Sequence, residues 1–121
     1  MLLRSGEAPC WALKHLGTAL GFEPGLQFER TELLLQPGDT LVFFTDGVTE
    51  AFNVQDECYG GQRLLADLNP LGGQPLADLI SGLLKKVRGF AGAAPQSDDI
   101  AILALRAGTN GHFPRSKELR P

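Results

Sequence analysis

The chain has 121 residues, enough for one domain and too few for two well-buried ones. An apolar fraction of 43% and a charged fraction of 21% fit an ordinary globular domain, and a formal charge of −3 offers no basic surface for nucleic acid or an anionic membrane. Cys10 and Cys58 lie far apart and form no Cys-x-x-Cys pair, so neither zinc nor a disulfide framework is indicated. They read as reduced thiols, which points to the cytoplasm. No charged-then-apolar leader and no apolar run of about 18 residues is present, so neither secretion nor membrane insertion is expected. A longer, membrane-tethered parent stays compatible with that.

The opening, Met1 to Leu13, reads as two short apolar runs around Ser5-Gly6-Glu7, a hairpin signal. It begins as though part-way through a strand. Gly17, Gly21, Pro24 and Gly25 mark an irregular loop, and residues 26–35 read as a strand. Pro37-Gly38-Asp39 has the chemistry of a tight turn, which accounts for Asp39 structurally. Thr40 to Thr45 is a β-branched and aromatic run expected to be buried on both faces.

Leu64, Leu65 and Leu68 predict a short helix over 60–68, and Leu76, Leu79, Ile80, Leu83, Leu84 and Val87 a longer one over 75–88. Pro75 suits its first position, and Gly89 or Gly92 its end. Residues 100–105 form a second apolar run, expected as another buried strand. The tail from 108 to 121 is polar, with a lone His112, and is expected to be disordered.

Two carboxylate groups sit beside these strands: Asp46 directly after the first, Asp98 and Asp99 directly before the second. If the strands are antiparallel neighbours, all three acids arrive at one end of the sheet. Hard cations such as magnesium or manganese take oxygen ligands, and such a cluster supplies them. Gly47 would let backbone or water approach closely. On the residues alone, Asp-Gly after a strand reads equally as a turn, and an Asp doublet equally as a loop start. Glu50 either shares that mouth or is a solvated side chain.

The order of segments adds a resemblance. Leu35-Gln36-Pro37-Gly38-Asp39-Thr40-Leu41 through Thr45-Asp46-Gly47-Val48-Thr49-Glu50-Ala51 is similar to the "L-x-PGD … TDG … TEA" block of SpoIIE-type metal-dependent serine/threonine phosphatases. Tyr59-Gly60 with Arg63-Leu64 resembles their "FG-x-x-RL" segment, and Gln96-Ser97-Asp98-Asp99-Ile100 their "Q-x-DDIT" block. Gly17 to Gly21 resembles "G-x-PLG". The match covers residues 1–107.

What the resemblance implies is an α+β fold, the C-terminal part of a phosphatase 2C-like layered domain, mostly antiparallel sheet flanked by helices. The implied activity is hydrolysis of phosphoserine or phosphothreonine on a regulatory protein, such as an anti-sigma-factor antagonist, in cytoplasmic bacterial signalling. The implied cofactor is a pair of manganese or magnesium ions. Asp46 and Asp98 match metal ligands; Asp99 and Gly47 match positions beside the metal or alternate ligands. Neither cysteine is needed as a nucleophile.

Ala101 replaces the family's usual Thr, and Ala19 its frequent Pro. The "GD-x-x-GHG" and "GHNPP" segments, the first of which carries a bridging aspartate, are missing from these residues. The expectation is therefore a partial domain with an incomplete site and an uncovered apolar sheet face, which a second copy could cover. The competing expectation is a non-catalytic pseudophosphatase that binds a partner protein. A haloacid-dehalogenase-type reading fails, because its nucleophilic Asp would have to stand at Phe44.

Overall fold

The structure, a computed structural model, describes residues 1–13 and 21–108. Its axis is the run Thr40-Leu41-Val42-Phe43-Phe44, whose β-branched and aromatic side chains favour a pleated, packed surface. This strand, β2 (Thr40–Phe44), pairs antiparallel with β1 (Leu2–Leu3) on one side and β3 (Ile102–Arg106) on the other. The register with β3 runs from Thr40 opposite Arg106 to Phe44 opposite Ile102. The opening hairpin is present: Leu2 and Cys10 exchange main-chain hydrogen bonds of 2.8 and 3.0 Å. The predicted turn before β2 is also present, closed by the Asp39 N–H donating to the Gln36 carbonyl at 2.9 Å, with Gly38 at φ +88°.

Three helices follow β2: α1 (Asp46–Thr49), α2 (Gly60–Leu68) and α3 (Leu76–Ala91), with a 3-10 turn over Asn69–Leu71 between the last two. The helix predicted over 60–68 matches α2. The second begins one residue later than expected. Pro75 is its cap rather than its first position, and the Pro75 carbonyl accepts from Leu79 N–H at 2.9 Å. The helix ends at Gly92, whose φ of +57° turns the chain away and whose N–H still bonds the Arg88 carbonyl.

The helices cover one face of the sheet. Leu64 and Leu68 of α2 and Leu79, Leu83 and Val87 of α3 are buried against Val42, with Phe44, Ile102 and Ala104 packed beside them. Each such side chain is worth roughly 1.5–3 kcal/mol of burial. Tyr59, just before α2, is buried in the same core. Its hydroxyl donates to Asp67 at 2.6 Å, and its ring meets Phe90 edge-on at 5.4 Å. Burial first, and the Asp67 contact second, push the Tyr59 phenol well above its usual range. Arg106 closes the far end, donating to Thr40 Oγ1 and to the carbonyls of Gly72 and Gln74.

Two expectations need correction. The strands are not buried on both faces: burial alternates, and on the open face Phe43 is 49% exposed, Leu103 64% and Leu105 53%. One layer of helices covers one face of a sheet, and among the described residues no second layer lies on the other. Residues 26–35 are also not a strand. A strand needs a neighbour to exchange hydrogen bonds with, and this segment is paired with none among the described residues; Leu34 offers its carbonyl to Arg4 Nη2 at 3.3 Å instead. The expected disordered tail and the Gly17–Leu20 segment lie outside the described residues, apart from Gly108. No helix among the described residues is long and apolar enough to cross a membrane.

Candidate metal centre

Because β2 and β3 are antiparallel neighbours, the segment leaving β2 and the segment entering β3 meet at one end of the sheet. Thr45 ties them. Its N–H donates to the Ala101 carbonyl at 3.1 Å. Its Oγ1 donates to the Asp99 carbonyl at 2.9 Å and accepts from Ala101 N–H at 3.0 Å. These bonds join residues 54 or more positions apart in sequence. Asp46 comes next, opening α1, with its side chain exposed. The helix is anchored by Val48, which is fully buried.

Gly47 makes the crossing close. A Cβ there would stand 2.9 Å from the Asp99 carbonyl carbon and 3.1 Å from the Asp98 carbonyl oxygen, so only glycine fits. The Asp98–Asp99 corner is fixed from its own side. Asp98 Oδ1 accepts from Asp99 N–H at 2.7 Å, and Gln96 Nε2 donates to the Asp98 carbonyl at 2.9 Å. Ser97 Oγ reaches back to the Glu50 carbonyl at 3.3 Å. Glu50 caps α1 through its own N–H, bonded to the Asp46 carbonyl, and leaves its side chain exposed.

The fold thus brings Asp46, Asp98 and Asp99 to one end of the sheet on exposed positions, none of them in an ion pair among the described residues. It does not gather them into a ligand cage: among the described residues no group of three or more His, Cys, Asp or Glu side chains is placed to hold an ion. Asp39, at the opposite end of β2, is the contrast. It is buried, accepts from Gln36 N–H at 2.9 Å and pairs with Arg4 Nε at 3.0 Å. The Gln36 N–H first, and the Arg4 guanidinium after it, hold its carboxyl below the usual range. Its structural reading stands. Thr45 is the residue that sequence reasoning missed; a hydroxyl between an apolar run and Asp-Gly was the available signal.

Residues 1–108 match the family described as Stage II sporulation protein E. The chain belongs to the SpoIIE family. This SpoIIE domain is 31% identical over 93 residues to Protein IcfG of Synechocystis sp., a match that takes in 77% of the chain and 14% of that relative's length. It superposes on the SiaA-PP2C domain of Pseudomonas aeruginosa with a TM-score of 0.60 and 30% identity, over 68% of this chain and 34% of that one. Family and fold together mark a phosphatase 2C-like domain of the kind found in bacterial signalling. The α+β, mainly antiparallel architecture is the one the resemblance implies.

Proposed function

We propose that this SpoIIE domain contributes one side of a metal-dependent phosphatase site that hydrolyses phosphoserine or phosphothreonine on a regulatory protein. The observation that carries the reading is the antiparallel β2–β3 pairing, which brings Asp46 and Asp98 to one sheet end through the main-chain crossing at Gly47. The donor set suits a hard cation: oxygen only, exposed, and with no cationic side chain paired to it among the described residues. Asp46 and Asp98 would hold manganese or magnesium. Asp98 keeps one carboxylate oxygen for this, since Asp99 N–H occupies the other. Asp99 orients Asp98 and stands as an alternate ligand.

Two carboxylates do not fill the shell of such an ion, so the remaining oxygens come from water and from segments outside residues 1–108. In that reading residues 1–107 are part of a larger phosphatase domain. A bound ion of this kind supplies an activated water and offsets charge on the phosphoryl oxygens. The chain's own residues hold the ligands still: Thr45 and Gln96 fix the two segments, and Gly47 sets their spacing. The substrate we favour is a phosphorylated regulator such as an anti-sigma-factor antagonist, in the cytoplasm.

The test is manganese-dependent hydrolysis of p-nitrophenyl phosphate by a protein that joins this chain to the remaining segments of its phosphatase domain, beside the same protein carrying Asp46→Asn. Loss of a metal ligand should lower turnover about a hundredfold or more while leaving the melting temperature unchanged. Equal, metal-independent rates in the two proteins would sink the reading. A second reading, a binding module without turnover, is favoured by the lack of a three-donor group among the described residues. It predicts weak manganese binding and no hydrolysis, with a phosphoprotein partner still captured.

A further inference from the structure

Helix α1 lies across the segment that enters β3, and the two are joined on either side of Asp98. At the start of the helix, Thr45 Oγ1 donates to the Asp99 carbonyl at 2.9 Å and Thr45 N–H to the Ala101 carbonyl at 3.1 Å. In the middle, Gly47 rests on the Asp98–Asp99 main chain. At the end, Ser97 Oγ donates to the carbonyl of Glu50, the cap of the helix, at 3.3 Å. Asp98 therefore stands between two ties, one to each end of the helix that Asp46 opens.

The two ties are unequal. The one at Thr45 includes a main-chain bond and continues the β2–β3 pairing. The one at Ser97 stands alone. Ala94 N–H bonds the Ala91 carbonyl at 3.0 Å, Gln96 Nε2 the Asp98 carbonyl at 2.9 Å, and Asp99 N–H the Asp98 carboxylate at 2.7 Å. Those bonds are local: they shape the loop and leave its distance from α1 open. Among the described residues, Ser97 supplies the one hydrogen bond from residues 93–98 to α1 or its cap. The helix end that it grips is itself fixed. Val48 is fully buried, Cys58 Sγ donates to the Thr49 carbonyl at 2.9 Å, and Tyr59 N–H to the Ala51 carbonyl at 2.8 Å.

We infer that Ser97 is a positioning residue: through the Glu50 carbonyl it fixes the spacing of Asp98 from Asp46, and so favours a small divalent ion over a larger one. The inference rests on the phosphatase reading for the presence of an ion between these two acids. Magnesium demands a near-regular oxygen shell at about 2.0–2.1 Å, whereas calcium accepts about 2.3–2.6 Å and an irregular one. Ligands at a fixed spacing discriminate between the two. With the loop slack, the small ion must order it on binding, at an entropic cost, while the larger ion adapts to it. Ser97 touches neither ion nor substrate and acts through main chain alone.

Two measurements test this. In the metal-free chain, the carbon-13 shift of the Glu50 carbonyl reports the bond directly. It should move in Ser97→Ala and hold in Ser97→Thr, which keeps the hydroxyl. The second is calorimetric titration with magnesium and, separately, calcium, of the protein that joins this chain to the remaining segments of its phosphatase domain. Ser97→Ala should lose about tenfold in magnesium affinity and less than about twofold in calcium affinity, at an unchanged melting temperature. Ser97→Thr should keep the parent's ratio of the two.

A Glu50 carbonyl that stays put in Ser97→Ala overturns the bond, and the inference with it. An unchanged magnesium-to-calcium ratio in Ser97→Ala, whether neither affinity falls or both fall equally, overturns the spacing role, as does a threonine variant that behaves like the alanine one. Asp46→Asn separates these results from the phosphatase reading. If it binds both ions like the parent, the metal centre is misplaced and the role of Ser97 falls with it. Binding that is lost in Asp46→Asn and unchanged in Ser97→Ala removes the role of Ser97 alone.

Discussion

Strand β2 carries an aspartate just beyond each end, and the two meet opposite fates. Asp39 is buried and enclosed by the Gln36 N–H and the Arg4 guanidinium, both from segments that pack against it. Asp46 is exposed, has no cationic partner among the described residues, and directly precedes Gly47, which lies against the Asp98–Asp99 main chain. The same side chain serves the fold at one end and is left unspent at the other. What separates them is whether the protein itself supplies the counter-charge. A carboxylate whose charge is already matched stabilises the chain; one whose charge is left open is available to a cation from outside.

That contrast can be broken from either side. The largest effect on stability is expected from Asp39→Asn, which strips Arg4 of its carboxylate and weakens the turn before β2; the melting temperature should fall further than for any change at Asp46. Manganese affinity, read by calorimetry, should not follow it down. Because the Asp39 carboxyl is held low, its contribution is fully present above the ordinary value of 3.8 and is lost as pH falls below that, toward its depressed folded-state value. Acid unfolding curves of Asp39→Asn should lack that part of the slope. Curves parallel to the parent's would mean that Asp39 is not the group responsible.

Next in size is Gly47→Ala. The added methyl group presses on the Asp98–Asp99 main chain, and about 1–3 kcal/mol of stability should go, with manganese affinity falling as the two segments part. An alanine variant as stable as the parent would show that the crossing is looser than described. The smallest change is Thr45→Val, which removes the hydroxyl bridge between Asp99 and Ala101 at an exposed position and should cost about 1 kcal/mol. Denaturant titration measures both.

Much of this was legible in the residues. The leucine spacing of α2 and α3 placed both helices to within a residue or a few, because an apolar stripe at helical period has one way to bury itself. Pro37-Gly38-Asp39 gave its turn, since Gly38 takes the positive φ that the turn requires. Two things were not legible. Residues 26–35 have strand composition but no partner among the described residues, and pairing is a property of the neighbour, not of the segment. Phe43, Leu103 and Leu105 are as apolar as the side chains on the covered face, so composition could not tell which face the helices would take. At the candidate site, the meeting of Asp46 with Asp98 depended on strand order and could be expected only conditionally. The closeness of that meeting, set by Gly47 and Thr45, arises only once the two strands have paired.

The crossing at Gly47 also bears on how such a domain can change over generations. A contact made largely by main chain asks little of the side chains nearby: a missing methyl group at Gly47 and a hydroxyl at Thr45. The long stretch between the two aspartates, with both larger helices in it, is therefore free to drift under the demands of core packing without disturbing how the acids are brought together. Changes in that stretch and changes at the corner fall on separate residues, so the helices could vary while the corner that brings the carboxylates together stays as it was.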